Sequence, residues 1–499
     1  MLIAHDLGTT GNKATLHSSD GRIVASITQA YDTAYRRGGV VEQDPEDWWD
    51  AVCTATRHLL ERSGTPASAI EGTALSGQMM GVVLVGEDGR PTRPSIIWAD
   101  TRSQDQCDRL NRAVGAEHGY EILGHRLNPT YSLSKLMWVR EHEPDAFRAA
   151  QKMCLAKDYV VYRLTGVLAT DPSDASSTNA YDQRSGTWSE ELLAAAELPR
   201  DLFPDVVAST TVIGRVTGDA ATATGLLAGT PVVMGGGDGP MAAVGAGVVD
   251  EADGAYAYLG SSSWISFTAS QPVLDLPEMR TMTFNHVVPD RFVPTATMQA
   301  GGGSLGWVTD LLTGPDEPGR FDRLIGSAGQ VEAATEDLFF LPYLLGERSP
   351  YWNPAARGAF VGLGRHHGQD HLTRAVLEGV AFNLATCIGA FSEHGQSIDR
   401  VDAIGGGAAS ATWLQILADV WGCTVRRRSV VEEANSLGAA ITAGVGVELF
   451  EDFSIARELS EVLDVFEPDV DRHRAYQGSH ARFVDAYVRL EPWFDQASR

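Results

Sequence analysis

The sequence is short of positive charge. Its 499 residues contain 39 Lys and Arg against 65 Asp and Glu, which gives a formal net charge of −26 at pH 7. A surface of that sign repels nucleic acids and anionic membranes, so neither is expected as a partner. The charge balance does not exclude a locally positive pocket for a phosphate group.

Cysteine and long apolar runs are scarce as well. There are five cysteines and no C-x-x-C pair. The odd count, and a chain that passes from Met1 into a strand pattern without a signal peptide, predict reduced thiols and a cytoplasmic location. No apolar run approaches the roughly 18 residues that a membrane span needs. The length predicts two or more domains, and 43% hydrophobic residues with 52 glycines favour an α/β fold.

A strand, a hydroxyl-rich turn and a second strand are predicted twice. The first hairpin is IAHDLGTTGNKATL at 3–16, and the second is AYAYLGSSSWISFT at 255–268. Backbone N–H groups and hydroxyls at such tips can bind phosphate oxygens. Asp6, at the end of the first strand, is a hard oxygen ligand suited to Mg²⁺, and Lys13 adds charge. The alternative is two ordinary β-turns with a solvated lysine.

A strand, three glycines and a helix are also predicted twice, at 231–247 and at 401–422. The shared order of hairpin and glycine turn predicts two related domains that face each other, with a boundary near 247–254. Asp238 follows the first glycine run at a helix N-terminus, where the helix dipole is expected to keep it ionised. It could then take a proton from an attacking hydroxyl, or it could merely cap the helix.

Other motifs leave alternatives open. The run from Gly237 to Ala242 fits a dinucleotide fingerprint weakly, and 302–306 fits the G-x-S-x-G turn of a hydrolase. Three histidines at 366, 367 and 371 indicate either a metal site or a solvated helix start. Asp100 and Arg102 either line a pocket or pair with each other. Asp44 is a predicted cap of a helix beginning at Pro45, 372–391 is a predicted buried helix, and the tail from about 450 is predicted helical.

In this order, the segments DLGTTGNK, GGGDG, LGSSSW and GGGAAS resemble the FGGY family of carbohydrate kinases within the actin-like ATPase superfamily. VEQDPEDWW, SGQMMG, IIWADTR, AKDYVVYRLTG and LPYLLGERSP resemble xylulokinases in particular. The resemblance implies two RNase-H-like domains with ATP and a sugar in the cleft between them. The first domain, 1–247, would hold the sugar and the first phosphate hairpin, and 254–447 would bind the nucleotide. The tail, 448–499, would be helical and packed on the second domain.

The resemblance also implies roles for particular residues. Asp238 would be the catalytic base, and Asp6 would help to hold Mg²⁺. The sugar would contact Gln78, Met79, Met80, Asp100 and Asp238. The nucleotide and its phosphates would contact Thr9, Thr10, Lys13, Gly260, Ser261, Gly302, Gly407 and Ala411.

The expected reaction is ATP-dependent phosphorylation of a small sugar, best matched by D-xylulose to D-xylulose 5-phosphate. Xylulokinases typically carry histidine where this chain has Met80, and asparagine where it has Gly239. Another ketose, a deoxy-ketose or a polyol is therefore an alternative substrate. The alternative from a different class is an actin-like ATPase that acts in assembly or client binding. A homodimer is the expected assembly, although nothing in the sequence specifies one.

Overall fold

Two seven-stranded sheets, one in each half of the chain, organise the computed structural model, which describes residues 1–315, 317–334, 337–430 and 433–497. In the first sheet the order is β5–β6–β4–β1–β2–β3, and the two-residue strand Gly236–Gly237 pairs with β4. Its strands are β1 Leu2–Leu7, β2 Gly11–His17, β3 Ile23–Ala30, β4 Gly72–Gly77, β5 Val212–Arg215 and β6 Pro231–Val233.

The second sheet has the order β9–β10–β8–β7–β11–β12–β13. Its strands are β7 Ala255–Leu259, β8 Ser263–Phe267, β9 Met282–Asn285, β10 Phe292–Met298, β11 Arg400–Ile404, β12 Thr424–Arg428 and β13 Val462–Phe466.

The two sheets have matching topology. Each begins with an antiparallel hairpin, β1–β2 or β7–β8. In the first sheet β1 pairs in parallel with β4, and β4 pairs in parallel with β6. In the second sheet β7 pairs in parallel with β11, and β11 pairs in parallel with β12. An antiparallel strand, β5 or β13, completes that side of each sheet. The predicted α/β fold with two related, facing domains and both predicted hairpins are therefore confirmed.

The two glycine turns do not occupy matching places. The first follows β6, two strands away from β1, whereas the second follows β11, which pairs directly with β7. The place that matches the first turn lies after β12. The sequence pattern suggested a repeated turn because it cannot show in which order the strands pair.

The longer helices cover the sheets or lie between them. They are α1 Pro45–Ser63, α2 Asp238–Gly245, α3 Gln369–Glu393, α4 Ala411–Trp421, α5 Ala434–Gly446 and α6 Val470–Ala497. As predicted, Asp44 caps α1, because its Oδ1 accepts from the backbone N–H of Glu46 at 3.0 Å. Helices α2 and α5 cross closely: a Cβ on Gly438 would lie 2.1 Å from the carbonyl oxygen of Met241.

The segment between β4 and β6 is longer than the matching segment between β11 and β12 in the second lobe. Its helices are Gln104–Val114, Ala116–Leu123, Ser132–His142, Pro144–Ala149, Ala156–Thr165, Pro172–Ala175 and Glu190–Ala195, and Gly218–Thr224 follows β5. The second lobe adds helices Gly302–Leu312, Arg320–Ala328 and Ala456–Leu459. The small strands are Ala34–Arg36, Val40–Gln43, Val83–Gly86, Ser95–Ile96, Ala150–Cys154, Ala169–Thr170, Tyr181–Asp182, Thr187–Trp188, Asp205–Val206, Phe339–Leu341 and Ala359–Val361.

Helix α3 is the central helix of the second lobe. By length and composition it could cross a membrane, but 72% of its most apolar window is buried inside the protein. This burial agrees with the predicted core helix. All five cysteines are free and buried.

The tail is not wholly helical, contrary to expectation. Strand β13 joins the second sheet beside β12, and only then does α6 begin. Tyr476, Phe483, Tyr487 and Phe494 of α6 are buried in the core of the second lobe. The tail is therefore an integral part of that lobe.

Candidate active site

Asp6, next to last in β1, faces two polar side chains. The Ser76 hydroxyl donates to Asp6 Oδ1 at 2.8 Å, and Asn435 Nδ2 in α5 donates to the same oxygen at 3.3 Å. Burial raises the pKa of Asp6, while these hydrogen bonds and the charge of Lys13 oppose the rise. Among the described residues, no donor is bonded to Asp6 Oδ2. One oxygen of Asp6 is thus fixed and the other can take a ligand.

Asp238 is the first residue of α2. The backbone N–H of Gly239 donates to Asp238 Oδ1 at 2.8 Å. Burial, and after it the charge of Asp6, raise the pKa of Asp238 to about 7. This corrects the expectation that the helix N-terminus keeps Asp238 ionised, because burial and the like charge outweigh the helix dipole. A carboxyl group with a pKa near neutrality is suited to accept a proton.

The glycine turn before α2 has a tight backbone geometry. Gly235 has φ +74°, and a Cβ there would lie 2.0 Å from the carbonyl oxygen of Leu75. The N–H of Gly237 donates to the Ser173 hydroxyl at 2.9 Å, and that hydroxyl donates to Asp171 at 2.5 Å. The turn that carries Asp238 is therefore held from both β4 and the Pro172–Ala175 helix.

Asp171 belongs to a fully buried ion cluster. Lys157 Nζ lies 2.5 Å from Asp158, 3.0 Å from Asp171 and 3.1 Å from Asp174. The three carboxylates raise the pKa of Lys157, although burial opposes them. This cluster lies behind the turn and supports it rather than forming part of the cleft.

Gln78, Met79 and Met80 follow β4 and lie against the glycine turn. A Cβ on Gly237 would lie 2.7 Å from Met79 Cγ. Met80 has φ +67°, and its N–H donates to the Ser177 hydroxyl at 3.1 Å. The structure therefore brings the predicted sugar-side segment next to Asp238.

An apolar cluster spans both lobes at this point. Met79, Met80 and Tyr131 of the first lobe pack with Met282 and Phe284 of the second, flanked by Trp98 and Trp352. The Arg348 guanidinium lies 5.5 Å from the centroid of the Trp98 ring. It forms no hydrogen bond or ion pair with the part of the chain that the structure describes. Burial lowers the pKa of Arg348.

Asp100 is paired inside the first lobe. Arg102 Nη2 lies 2.6 Å from Asp100 Oδ2, and the N–H of Val41 donates to the same oxygen at 2.6 Å. The other oxygen accepts from Arg102 Nε at 3.0 Å, and the Asp100 side chain is fully buried. The ion-pair alternative is thus observed, and a direct contact of Asp100 with a sugar stays a prediction.

At the tip of the first hairpin, Thr9 has three partners and Thr10 is exposed. Trp98 Nε1 donates to Thr9 Oγ1 at 3.0 Å. The carbonyl oxygen of Thr9 accepts from Gln43 Nε2 at 2.6 Å and from the Thr33 hydroxyl at 2.9 Å. The tip is therefore fixed from its rear, and the exposed Thr10 lies at its outer side.

The predicted nucleotide residues of the second lobe lie together. The N–H of Gly302 donates to the carbonyl oxygen of Gly260 at 2.7 Å, and that of Gly303 donates to Ser261 at 2.9 Å. A Cβ on Gly302 would lie 2.6 Å from the Gly260 oxygen. The nearby turn with Gly407 leads into α4, which begins at Ala411. Glycine at 302 thus permits the close approach of two backbones.

The structure contradicts two competing motifs. Ser304, the serine of the G-x-S-x-G match, is fully buried and donates to the carbonyl oxygen of Ala300, so it cannot serve as an exposed nucleophile. The Nδ1 atoms of His367 and His371 accept from the backbone N–H groups of Gly364 and Gly368. No His, Cys, Asp or Glu group of three or more among the described residues could hold a metal ion.

Sequence reasoning missed Asn435, Ser76, Gln43 and Arg348. Gln43, Ser76 and Arg348 lie inside the quoted segments VEQDPEDWW, SGQMMG and LPYLLGERSP, whereas Asn435 lies in none of them and stands near the start of a helix of mostly small and apolar residues. Ser76 and Gln43 lie within strands and owe their roles to pairing between distant segments.

The chain is similar to known proteins over nearly its whole length. Residues 1–245 match the N-terminal domain, and residues 255–447 the C-terminal domain, of the FGGY family of carbohydrate kinases. The chain is 36% identical over 499 residues to the xylulose kinase of Escherichia coli K12, covering 99% of each chain. It also resembles the structure of a ligand-bound xylulose kinase from Lactobacillus acidophilus, with a TM-score of 0.93 at 26% identity, covering 99% of each chain. A gluconate kinase structure from the same organism gives the same TM-score, identity and coverage.

Proposed function

Because the chain belongs to the FGGY family of carbohydrate kinases, we propose that it transfers the terminal phosphoryl group of ATP to the terminal hydroxyl of D-xylulose. The family membership rests on both matched domains. The substrate is inferred from the xylulose kinases that this chain resembles. The observation that carries the mechanism is the pair of Asp6 and Asp238 between the lobes, with the pKa of Asp238 raised to about 7.

We assign Asp238 the role of general base. As the sugar oxygen forms its bond to the γ-phosphorus, the bond between that phosphorus and the β,γ-bridging oxygen breaks. ADP leaves, and the hydroxyl proton passes to Asp238. The glycine turn fixes the position of the carboxylate, so the main contributions are orientation and charge stabilisation.

The two hairpins are proposed to bind the phosphates. Thr9, Thr10 and Lys13 would act from the first lobe, and Ser261 from the second. Gly260, Gly302, Gly407 and Ala411 would line the nucleotide. The contacts of the Gly302 and Gly303 N–H groups with the tip of the second hairpin support this assignment, because they bring the two segments together.

The oxygens near Asp6 fit Mg²⁺. Asp6 Oδ2 has no bonded donor among the described residues, and carboxylate oxygens are ligands that Mg²⁺ prefers. Since that part of the chain contains no larger ligand cluster, phosphate oxygens and water would complete the coordination. When bound, the ion would neutralise charge on the transferred phosphoryl group. Asp6 would position it from the end of β1.

We propose that the reaction takes place in the cytoplasm, which supplies ATP and keeps thiols reduced; the five free cysteines are compatible with this location. A homodimer remains a prediction.

An ADP-release assay with a panel of sugars tests the function. D-xylulose should give the highest kcat/KM among ketoses, deoxy-ketoses and polyols, and Asp238→Asn protein serves as the blank. If none of these sugars stimulates ADP release, the kinase assignment fails. If a different sugar gives the highest value, only the substrate is wrong.

Met80 provides a sharper test of D-xylulose. A thioether cannot donate a hydrogen bond to a sugar, whereas histidine can. Met80→His should therefore raise kcat/KM for D-xylulose relative to a deoxy-ketose by about 5-fold or more, the effect of about 1 kcal/mol for one hydrogen bond. An unchanged ratio would exclude Met80 as a specificity residue.

An aldonate such as gluconate is the second candidate substrate. The observation that favours it is the Arg348 guanidinium, which lies over Trp98 without an ion-pair partner in the described chain and could bind a carboxylate. If gluconate is the substrate, Arg348→Met should lower kcat/KM for gluconate about 10-fold or more and leave that for D-xylulose nearly unchanged. Equal turnover of gluconate by both proteins would remove this candidate.

A further inference from the structure

Gln43 uses every hydrogen-bonding position of its amide. Its Oε1 accepts from Trp48 Nε1 at 3.1 Å. Its Nε2 donates to the carbonyl oxygen of Thr9 at 2.6 Å and to the Thr33 hydroxyl at 2.7 Å. An indole N–H can only donate and a peptide carbonyl can only accept, so these two partners fix the orientation of the Gln43 amide.

That orientation determines the role of Gln78. The nitrogen of the Gln78 side chain lies 2.7 Å from Gln43 Oε1, so Gln78 must present its NH₂ group there. Gln78 Oε1 is then left buried, without a hydrogen-bond partner in the described part of the chain. Gln78 is only 3% exposed, so leaving this acceptor unpaired is unfavourable.

Gln78 adjoins the residues that the proposed function assigns to the sugar. Gln78 comes directly before Met79, whose side chain lies against Gly237, the residue before Asp238. The chain of hydrogen bonds therefore begins at Thr9 in the first phosphate hairpin and ends at a residue of the proposed sugar site. No other buried glutamine described here joins the phosphate hairpin to the sugar segment in this way.

We propose that Gln43 is a positioning residue that couples the phosphate hairpin to the sugar site. It holds Gln78 so that Oε1 accepts a hydrogen bond from a sugar hydroxyl, and it holds the Thr9 carbonyl with the same amide. This inference rests on the proposed sugar kinase function. It adds that the ligand group beside Gln78 must donate, so a hydroxyl fits there and a ketone or carboxylate oxygen does not.

Two substitutions at Gln43 separate its contact with the Thr9 carbonyl oxygen from its contact with the Gln78 side chain. Gln43→Glu keeps an acceptor for Trp48 and Gln78 but places a carboxylate oxygen against the Thr9 carbonyl. Gln43→Met removes both contacts. Gln106→Met is the matched control, because Gln106 is 2% exposed, donates from Nε2 and also has an unpaired Oε1, but it lies in the Gln104–Val114 helix.

Calorimetry provides a readout that does not depend on turnover. The dissociation constant is measured for D-xylulose, and for analogues that each lack one hydroxyl, with and without ADP. Wild-type protein should bind the sugar about 5-fold or more tightly with ADP present. Loss of one particular hydroxyl should weaken its binding about 10-fold.

The three variants should then differ in which effects they keep: the tighter sugar binding with ADP, and the weaker binding of the sugar that lacks one hydroxyl. Gln43→Glu should lose the ADP effect and keep the penalty for the missing hydroxyl, Gln43→Met should lose both, and Gln106→Met should keep both. If folded Gln43→Glu and Gln43→Met retain both effects, Gln43 has only a structural role and the inference is overturned. Should Gln43→Met not fold, the Gln43→Glu result decides alone. If the wild-type protein neither binds nor phosphorylates any sugar of the panel, the proposed function fails, and this inference with it.

Discussion

The two lobes share one sheet topology but carry different side chains at matching places. In the first hairpin, Asp6 lies opposite Lys13. In the second, the matching positions hold Tyr258 and Trp264, whose rings stack with their centroids 4.1 Å apart. Each first residue stands two places before the tip glycine. At these matching positions the first lobe thus carries a pair of charged residue types, whereas the second carries an uncharged aromatic pair.

The helices that follow the matching strands β6 and β12 differ in the same way. Helix α2 begins with Asp238, and α5 begins with Ala434 and Asn435. Asn435 is a neutral donor to Asp6, so it stabilises the carboxylate pair, whereas an acid there would raise both pKa values further. We infer that the proton chemistry belongs to the first lobe and that the second lobe provides neutral support.

The largest expected effect comes from removing Asp238, the proposed base of the first lobe. Asp238→Asn keeps the size of the side chain but cannot accept the proton. We expect kcat to fall by about 10² to 10⁴, with little change in the binding of ATP or sugar. Stopped-flow kinetics and calorimetry on the same protein measure both quantities. Near-normal turnover would remove Asp238 from the mechanism.

Matched substitutions in the two hairpins should give unequal effects. Asp6→Asn should lower kcat/KM for ATP in the presence of Mg²⁺ by about 10², because it removes the charge that would hold the ion. Tyr258→Phe at the matching position removes one hydroxyl and should change kcat/KM by less than about 3-fold. Steady-state kinetics over a range of Mg²⁺ concentrations makes the comparison. Equal losses of kcat/KM in the two variants would contradict the inference that the first lobe carries the charged chemistry and the second only neutral support.

Features coded by local pattern could be predicted from the sequence. Both hairpins, the cap of α1 at Asp44, and the strand before each glycine turn follow from residues within a few positions of each other. The order of strands in the sheets depends on pairing between distant segments and could not be predicted in this way. The two glycine turns therefore looked equivalent although they follow non-matching strands. Contacts such as Asn435 with Asp6 join residues more than 400 positions apart. The raised pKa of Asp238 depends on burial, which no local pattern reports.

The pH dependence tests whether Asp238 sets the rate. Its pKa is raised to about 7. The ionised form accepts the proton, so the rate should be lost as the pH falls through about 7. We expect kcat/KM to rise about 10-fold from pH 6 to pH 8, and saturating Mg²⁺ to shift the midpoint to lower pH. A rate that is flat across this range in low Mg²⁺ would contradict the assignment.

The smallest change in a measured quantity, a few degrees in Tm, is expected for stability without ligands. The pKa of Asp238 is 3.8 as the ordinary value and about 7 in the folded protein, so the folded state holds this proton more tightly. The contribution is fully present below pH 4 and is lost as the pH rises through about 7. At pH 8 the ionised carboxylate then destabilises the fold by up to about 4 kcal/mol. Asp238→Asn should remove this loss of folding stability at pH 8.

We therefore expect Asp238→Asn to raise Tm at pH 8 by a few degrees and to have little effect at or below about pH 4. Asn435→Asp, which places an acid at the start of the matching helix, should act in the opposite direction, because a third carboxylate would face Asp6. Calorimetric melting of both variants across this pH range, in a buffer without Mg²⁺, measures the two shifts. If both variants shift Tm in the same direction at pH 8, repulsion between carboxylates is not what distinguishes the two lobes.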